Sequence, residues 1–219
     1  MNIVLIGSGG HAKVIIDIVQ TEKQHTIVGL IDQHRSYEGD LNGVPVIGSD
    51  VDLPSLSNKM NFDHGILCVY DNFVRQTIRN RVTKLLPNFG FLTVIHPDAC
   101  ISSFVRIGAG TVVMGGVTIN SNCQIGEHCI LNTNSSVDHD CVMDNFSSIG
   151  PGVNLGGSVT IGALSYVGIG SAVNHNVKIG ENSVIGGLSF VNKNVGDREL
   201  GYSSPYRRIR SREPGEEYL

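Results

Sequence analysis

The residue best suited to acid–base chemistry is His139, in the run Val137-Asp138-His139-Asp140. An imidazole with an ordinary pKa near 6.5 takes a proton readily at neutral pH. A neighbouring carboxylate can hold it in one tautomer. His139, Gly157 and His175 (in Val173-Asn174-His175-Asn176) are evenly spaced along the chain. If that spacing is a structural period, one face carries His, Gly and His in a column. A bare backbone N–H at Gly157 beside an imidazole would then form a catalytic pair. The competing reading is a solvated polar residue on a surface. The second constellation is Gly7-Ser8-Gly9-Gly10-His11-Ala12, which fits G-x-G-x-x-[GA] directly after the apolar run NIVLIG. Asp32 follows Ala12 by 20 residues. That context matches a dinucleotide-binding fingerprint, with a helix N-terminus offering N–H groups to phosphate. Taken alone it suggests NAD; a tight turn that binds nothing is the plainer reading.

The elements that must position these residues follow from a repeat. Read in sixes from Ile95, the chain runs through 17 consecutive hexapeptides to residue 196 without insertion. The first position is always aliphatic and the fifth always Ala, Val, Thr, Ser or Cys. The second is Gly, Asn or Asp in 14 of 17. A period of six does not fit the 3.6-residue helix but suits a short strand plus a turn. Three units make one triangular coil, with the aliphatic side chain inward and the small one in a crowded corner. His139, Gly157 and His175 are then one coil apart. Gly, Asn and Asp at the second position are expected to supply the positive φ of the turns. Coils about 4.8 Å apart give a prism roughly 27 Å long. Cys123, Cys129 and Cys141 share the fifth position and are expected to be small buried residues.

Ahead of the repeat, strand and helix patterns alternate. The strand NIVLIG leads to a helix through KVIIDIVQ. Strands TIVGLID, VPVIGS and HGILCVY follow, then an amphipathic helix, NFVRQTIRNRVTKLL, with Phe73, Val74, Ile78, Val82 and Leu85 on one side. Such alternation implies a parallel sheet. Residues 1–94 hold one mononucleotide-binding half and no second, so the loop is expected to hold a nucleotide diphosphate rather than NAD. The fold expected is an α/β Rossmann-like domain over 1–94, an all-β parallel β-helix over 95–196, and a C-terminal tail over 197–219.

Composition bounds the rest. The chain has 219 residues, 41% of them apolar, and a net charge of −4, which gives no reason to expect a nucleic-acid partner. Sixteen of its 27 glycines lie in the repeat. No apolar run approaches the ~20 residues of a membrane span. The start, MNIVLIGSGG, lacks the basic region of a signal peptide, so a cytoplasmic location is expected. Five cysteines without a C-x-x-C pair argue against a disulfide framework. Histidine gaps of 11 (His128 to His139) and 36 (His139 to His175) make no zinc-ligating pattern, so no metal is expected.

The stretches GSGGHAKVIIDIV, Asp32 and SSVDHDCVMDNFSSIGPGV together resemble the bacterial sugar acetyltransferases of the sialic-acid O-acetyltransferase-like, hexapeptide-repeat group. Its best-known members N-acetylate nucleotide-linked 4-amino-4,6-dideoxy sugars for surface glycans. The resemblance spans about residues 2 to 208. It implies the left-handed hand of the β-helix, a homotrimer, and acetyl-CoA lying between neighbouring β-helices. By matching position, His139 resembles the catalytic base and Asp140 the acid that orients it. Gly157 matches a backbone donor near the thioester carbonyl, and Ile169 and Gly187 match coenzyme contacts. Gly9, Gly10, His11, Asp32 and Gln33 match the nucleotide-sugar loop and the strand end beyond it, and Asn72 a further contact in that pocket. Three departures stand out. A usual Gly is Tyr70. A second His near the coenzyme is Ser148. The C-terminal Gly-x-Pro-Ala-Lys/Arg reads Ser203-Ser204-Pro205-Tyr206-Arg207. The four arginines of RRIRSR could meet coenzyme phosphates or lie in a solvated tail. The function implied is acetyl-CoA-dependent N-acetylation of a nucleotide-linked amino sugar, with UDP the expected nucleotide. Alternatives are O-acetylation of a sugar hydroxyl, an NAD-dependent oxidoreductase, and a purely structural solenoid.

Overall fold

Ile3, Val4, Leu5 and Ile6 are all buried in β1 (Asn2–Ile6), as a strand covered by helices on both faces requires. α1 (Gly10–Glu22), β2 (Thr26–Ile31), β3 (Asp40–Leu41) and β4 (Val44–Gly48) follow. Then come α2 (Leu53–Met60), β5 (His64–Leu67), α3 (Asn72–Leu85) and β6 (Gly90–Phe91). The strand order is β3-β4-β2-β1-β5-β6, parallel except for the β3–β4 hairpin. The chain builds outward from β1 on one side, then returns to place β5 on the other. That reversal is the switch point where such sheets bind ligands, beyond the carboxyl ends of the strands. The core beneath is Val4, Ile6, Ile31, Leu53, Phe62, Leu67, Val82 and Phe89.

This computed structural model describes residues 1–33, 39–203 and 206–216, so Ser204 and Pro205 of the C-terminal pattern lie outside the described residues. The chain divides into two compact units, Met1–Pro97 and Asp98–Leu219. Hairpin strand β3 and helix α2 go beyond the sequence expectation. In LPSLSNKM only Leu53 is buried, so no apolar period marks the helix. α3 departs in the other direction. Val82 is buried, but Phe73 and Val74 are 38% and 45% exposed. Part of its apolar side faces a cavity rather than core.

The second unit is a left-handed parallel β-helix. Its short strands span the sixth and first hexapeptide positions, and each pairs in parallel with the strand three hexapeptides on, as in Ser136↔Asn154 and Val137↔Leu155. Three such sheets close the prism. First-position Val113, Leu131, Ile149, Val167 and Ile185 fill its interior. Cys123, Cys129 and Cys141 are fully buried at the fifth position, as expected. Their thiols also donate to carbonyls of the next coil: Cys129 Sγ lies 3.2 Å from Asp144 O, and Cys141 Sγ 3.2 Å from Gly156 O. The buried hydroxyl of Ser165 bonds Gly180 O in the same way at 2.5 Å. A small polar side chain is thus satisfied inside the prism.

One expectation needs correction here. The positive φ falls at the fourth hexapeptide position, in every turn from Gly110 to Leu188, not at the second. Second-position glycines serve close approach instead. A Cβ on Gly162 would lie 2.7 Å from the backbone of Gly180 and Glu181 on the next coil. The C-terminal segment is folded against the last coil, although Arg207–Ser211 is exposed along its whole length. Glu199–Tyr202 adds a parallel rung beside Val184–Ile185, and Arg207–Ser211 folds back antiparallel on it. Tyr206 and Arg212 are buried. Arg208 pairs with Glu199 at 3.1 Å, and Arg210 grips Glu216 through both terminal nitrogens. A last coil would otherwise end in a row of unpaired backbone groups.

Candidate active site

His139, Gly157 and His175 occupy third positions on one edge of the prism, stacked by the coil-to-coil register. The turn orients His139 through both neighbours. Asp138 Oδ1 accepts the backbone N–H of His139 at 2.8 Å and the side-chain amide of Asn120 at 2.9 Å. Those two bonds hold the Asp138 carboxyl below its ordinary pKa, the Asn120 bond contributing most. Asp140 takes the left-handed conformation, φ 59°, which Asp tolerates. Its Oδ2 lies 2.8 Å from His139 Nδ1. With a carboxylate accepting at Nδ1, the ring carries its proton there and leaves Nε2 with a lone pair. The Asp140 bond, and then the charge of Asp138, raise the His139 pKa above its ordinary value. The pair is open to solvent, with 57% and 53% of the two side chains exposed.

Gly157 lies under this ring. A Cβ there would sit 2.6 Å from His139 Cε1 and 2.7 Å from Nε2. One expectation fails at this residue. The Gly157 N–H is not bare; it donates to His175 Nδ1 at 3.0 Å. Spacing places the two residues one coil apart, but it does not show which way the ring turns.

Ile169 and Gly187 are also third-position residues one coil apart, on a second edge of the prism. A Cβ on Gly187 would lie 3.0 Å from Ile169 Cγ2, and Ile169 is 57% exposed. Within one chain they do not join the His139 column. Ser148 lies on a different sheet from the His139 column. It is fully buried between Ile130 and Tyr166, in an outward-facing row whose members are all buried.

In the first unit a cavity of about 430 Å³ opens at the switch point. Ile6, Gly7, Ile31 and Val69 line it from the strand ends, and Phe73, Val74, Thr77 and Ile78 from α3. Its polar end is Asp32, Gln33, Asp50 and Arg81. Asp32 Oδ2 accepts the Ser8 backbone N–H at 2.9 Å and the Ser8 hydroxyl, which ties the loop to the end of β2. The buried Asp50 carboxylate accepts Arg81 at 2.6 Å and Gln33 at 2.8 Å. No local motif marks Asp50 and Arg81; only the topology brings them beside Gln33.

α1 begins at Gly10 with Gly9 as its cap and no side chain capping it, so its first N–H groups point outward. Gly7 is structural, since φ is 105° and a Cβ would meet Val69 Cγ2 at 2.8 Å. Cβ atoms on Gly9 and Gly10 would meet nothing within 4 Å. Burial, and then the Arg75 charge, push the His11 pKa down to about 4, so the ring is neutral. Its Nε2 is buried without a hydrogen-bond partner among the described residues, and Tyr70 packs edge-on against it at 5.6 Å. Asn72 is tied into the turn that precedes α3. It is buried, and its Oδ1 accepts a 2.8 Å bond from the buried Arg75, whose guanidinium also holds the Val69 and Tyr70 carbonyls.

Residues 2–82 match the family described as the PglD N-terminal domain. GDP-perosamine N-acetyltransferase from Caulobacter crescentus, solved with CoA and GDP-perosamine, superposes with a TM-score of 0.91 at 32% identity. The match covers 96% of this chain and 98% of that one. The chain belongs to the nucleotide-linked amino-sugar N-acetyltransferase family. Another relative is the acetyltransferase domain of PglB from Neisseria gonorrhoeae, solved with acetyl coenzyme A: TM-score 0.88, 30% identity, 95% and 98% coverage. UDP-N-acetylbacillosamine N-acetyltransferase of Bacillus subtilis is 31% identical over 117 residues, and the chain spans about half the length of that curated relative. Membership of this N-acetyltransferase family removes the oxidoreductase and structural-solenoid readings. Among the described residues no helix is long and apolar enough to cross a membrane, and no three His, Cys, Asp or Glu side chains gather as a metal site.

Proposed function

We propose that this chain transfers acetyl from acetyl-CoA to the 4-amino group of a nucleotide-linked 4-amino-4,6-dideoxy sugar, a step in building bacterial surface glycans. The observation that carries the reading is the His139–Asp140 pair, with its free Nε2 set over Gly157. The neutral amine attacks the thioester carbon, and His139 Nε2 accepts its proton. Asp140 stabilises the imidazolium that forms. The Gly157 amide donates to the oxyanion, a contribution worth about 3–4 kcal/mol where one such donor is removed. Collapse of the intermediate expels the coenzyme A thiolate, which takes the proton back from His139.

The nucleotide sits in the switch-point cavity. Its phosphates lie on the Gly9–His11 turn, and its base lies against the apolar wall, with Gln33, Asp50 and Arg81 at the edge. UDP is the expected nucleotide and GDP its competitor. Acetyl-CoA contacts Ile169 and Gly187. These lie on a different edge from His139, which supports a homotrimer in which one copy supplies each edge. A cytoplasmic location, as expected from the sequence, belongs to the same proposal.

His139→Ala should lower turnover by about 10² to 10⁴ with an unchanged melting temperature. The check is coenzyme A release assayed with UDP- and GDP-linked amino sugars. Near-wild-type turnover in that variant would remove His139 from the chemistry.

A further inference from the structure

Third-position amides of this solenoid that bond a side chain mostly use a short one. The His139 N–H bonds Asp138 and Thr133 bonds Asn132, each the residue before it, while Glu127 and Glu181 bond Asn145 and Asp197 on the next coil. Gly157 follows another glycine, so no side chain beside it can serve. Its acceptor is the imidazole of the next coil, His175 Nδ1 at 3.0 Å. Gly156 permits this approach, since a Cβ there would lie 3.0 Å from both the backbone N and Nδ1 of His175. Because Nδ1 accepts, the neutral His175 ring carries its proton on Nε2. His175 is exposed, so two side-chain torsions can swing the ring away for the loss of one neutral hydrogen bond.

We propose that His175 is a removable cap on the catalytic amide: its Nδ1 stands on the Gly157 N–H where the thioester oxygen of acetyl-CoA must stand, and the ring turns away when the acetyl group seats. The proposal rests on the acetyl-transfer reading and adds to it a positioning residue that favours neither the amine nor the base directly. The cap competes with a carbonyl oxygen and with nothing else on the coenzyme. It therefore weakens binding of acetyl-CoA relative to free coenzyme A, by the roughly two- to tenfold that one neutral hydrogen bond corresponds to.

The test is calorimetric titration of the full chain and of His175→Ala with acetyl-CoA and, separately, with coenzyme A. The expected result is two- to tenfold tighter acetyl-CoA binding by the variant, with coenzyme A binding unchanged and kcat/KM for acetyl-CoA raised by a similar factor. In ¹⁵N-labelled wild type, acetyl-CoA should move the His175 Nδ1 resonance away from that of a hydrogen-bonded acceptor, and coenzyme A should not. Equal effects on both ligands, or none, overturn the cap. So does a fall in kcat/KM of the size expected for His139→Ala, which would make the ring a participant in the chemistry. A wild type that binds neither ligand overturns the acetyl-transfer reading itself, and the cap with it.

Discussion

Asp140 decides which nitrogen of His139 is the base. Its carboxylate on Nδ1 leaves Nε2 to face the space above Gly157, and it raises the imidazole pKa together with Asp138. Only the neutral ring accepts a proton. Activity should therefore rise with pH along a limb centred above the ordinary histidine value of about 6.5. Asp140→Asn removes the largest cause of the upward shift. The limb of kcat/KM against pH should move to lower pH, and its plateau should fall, because the amide neither fixes the tautomer nor stabilises the imidazolium. A limb that stays in place would mean that another group sets it. Asp138 is less exposed to this argument. Its main bonds are to Asn120 and to the backbone of His139, so it shapes the turn more than the proton.

At the scale of elements, the glycines of the first loop separate fold from ligand. Gly7 turns with φ 105° against the Cys68–Val69 backbone and side chain, so Gly7→Ala should cost at least about 1 kcal/mol. Gly9 caps α1 in ordinary extended backbone, and neither it nor Gly10 has a neighbour that a methyl group would strike. Gly9→Ala and Gly10→Ala should hold or slightly raise the melting temperature while weakening UDP binding at least tenfold (about 1.4 kcal/mol). Undiminished UDP binding by both would take the phosphates off this turn. The fingerprint and the hexapeptide period were legible because each repeats a steric demand in consecutive residues. The role of the second-position glycines was not, since what they avoid is the backbone of the next coil, remote in sequence. Nor could α3 reveal that Phe73 and Val74 wall a cavity while Val82 joins the core. One apolar stripe serves both, and only the packing of β1, β2 and the turn at Asp50 divides it. Asn72 and Ser148 were reached by aligned position alone, and both are buried.

On the scale of the whole solenoid, stability is a sum over coils that touch only their neighbours, so its ends matter more than those of a globular domain. The C-terminal end is closed by a shortened coil, in which Leu200 pairs with Val184, and by the returning strand Arg207–Ser211. Two anchors hold that strand. The Tyr206 ring packs on Gly201 so closely that a Cβ there would collide with three of its atoms. The buried Arg212 donates to Asn182 O at 3.1 Å and to the Glu216 carbonyl. Stopping the chain after Ser203 keeps the coils but bares Glu199–Tyr202 as an edge, and an open edge of parallel coils is a template for another copy. The truncated protein should show light scattering that grows with concentration, whereas the full chain should not. Tyr206→Ala loosens one anchor while the returning strand stays in place. It should lower the melting temperature by roughly 6–12 °C without inducing scattering. Scattering by both would tie association to lost stability alone. Scattering by the truncation only would show that the hairpin, on which Arg208 pairs with Glu199 and Arg210 with Glu216, closes the solenoid against association.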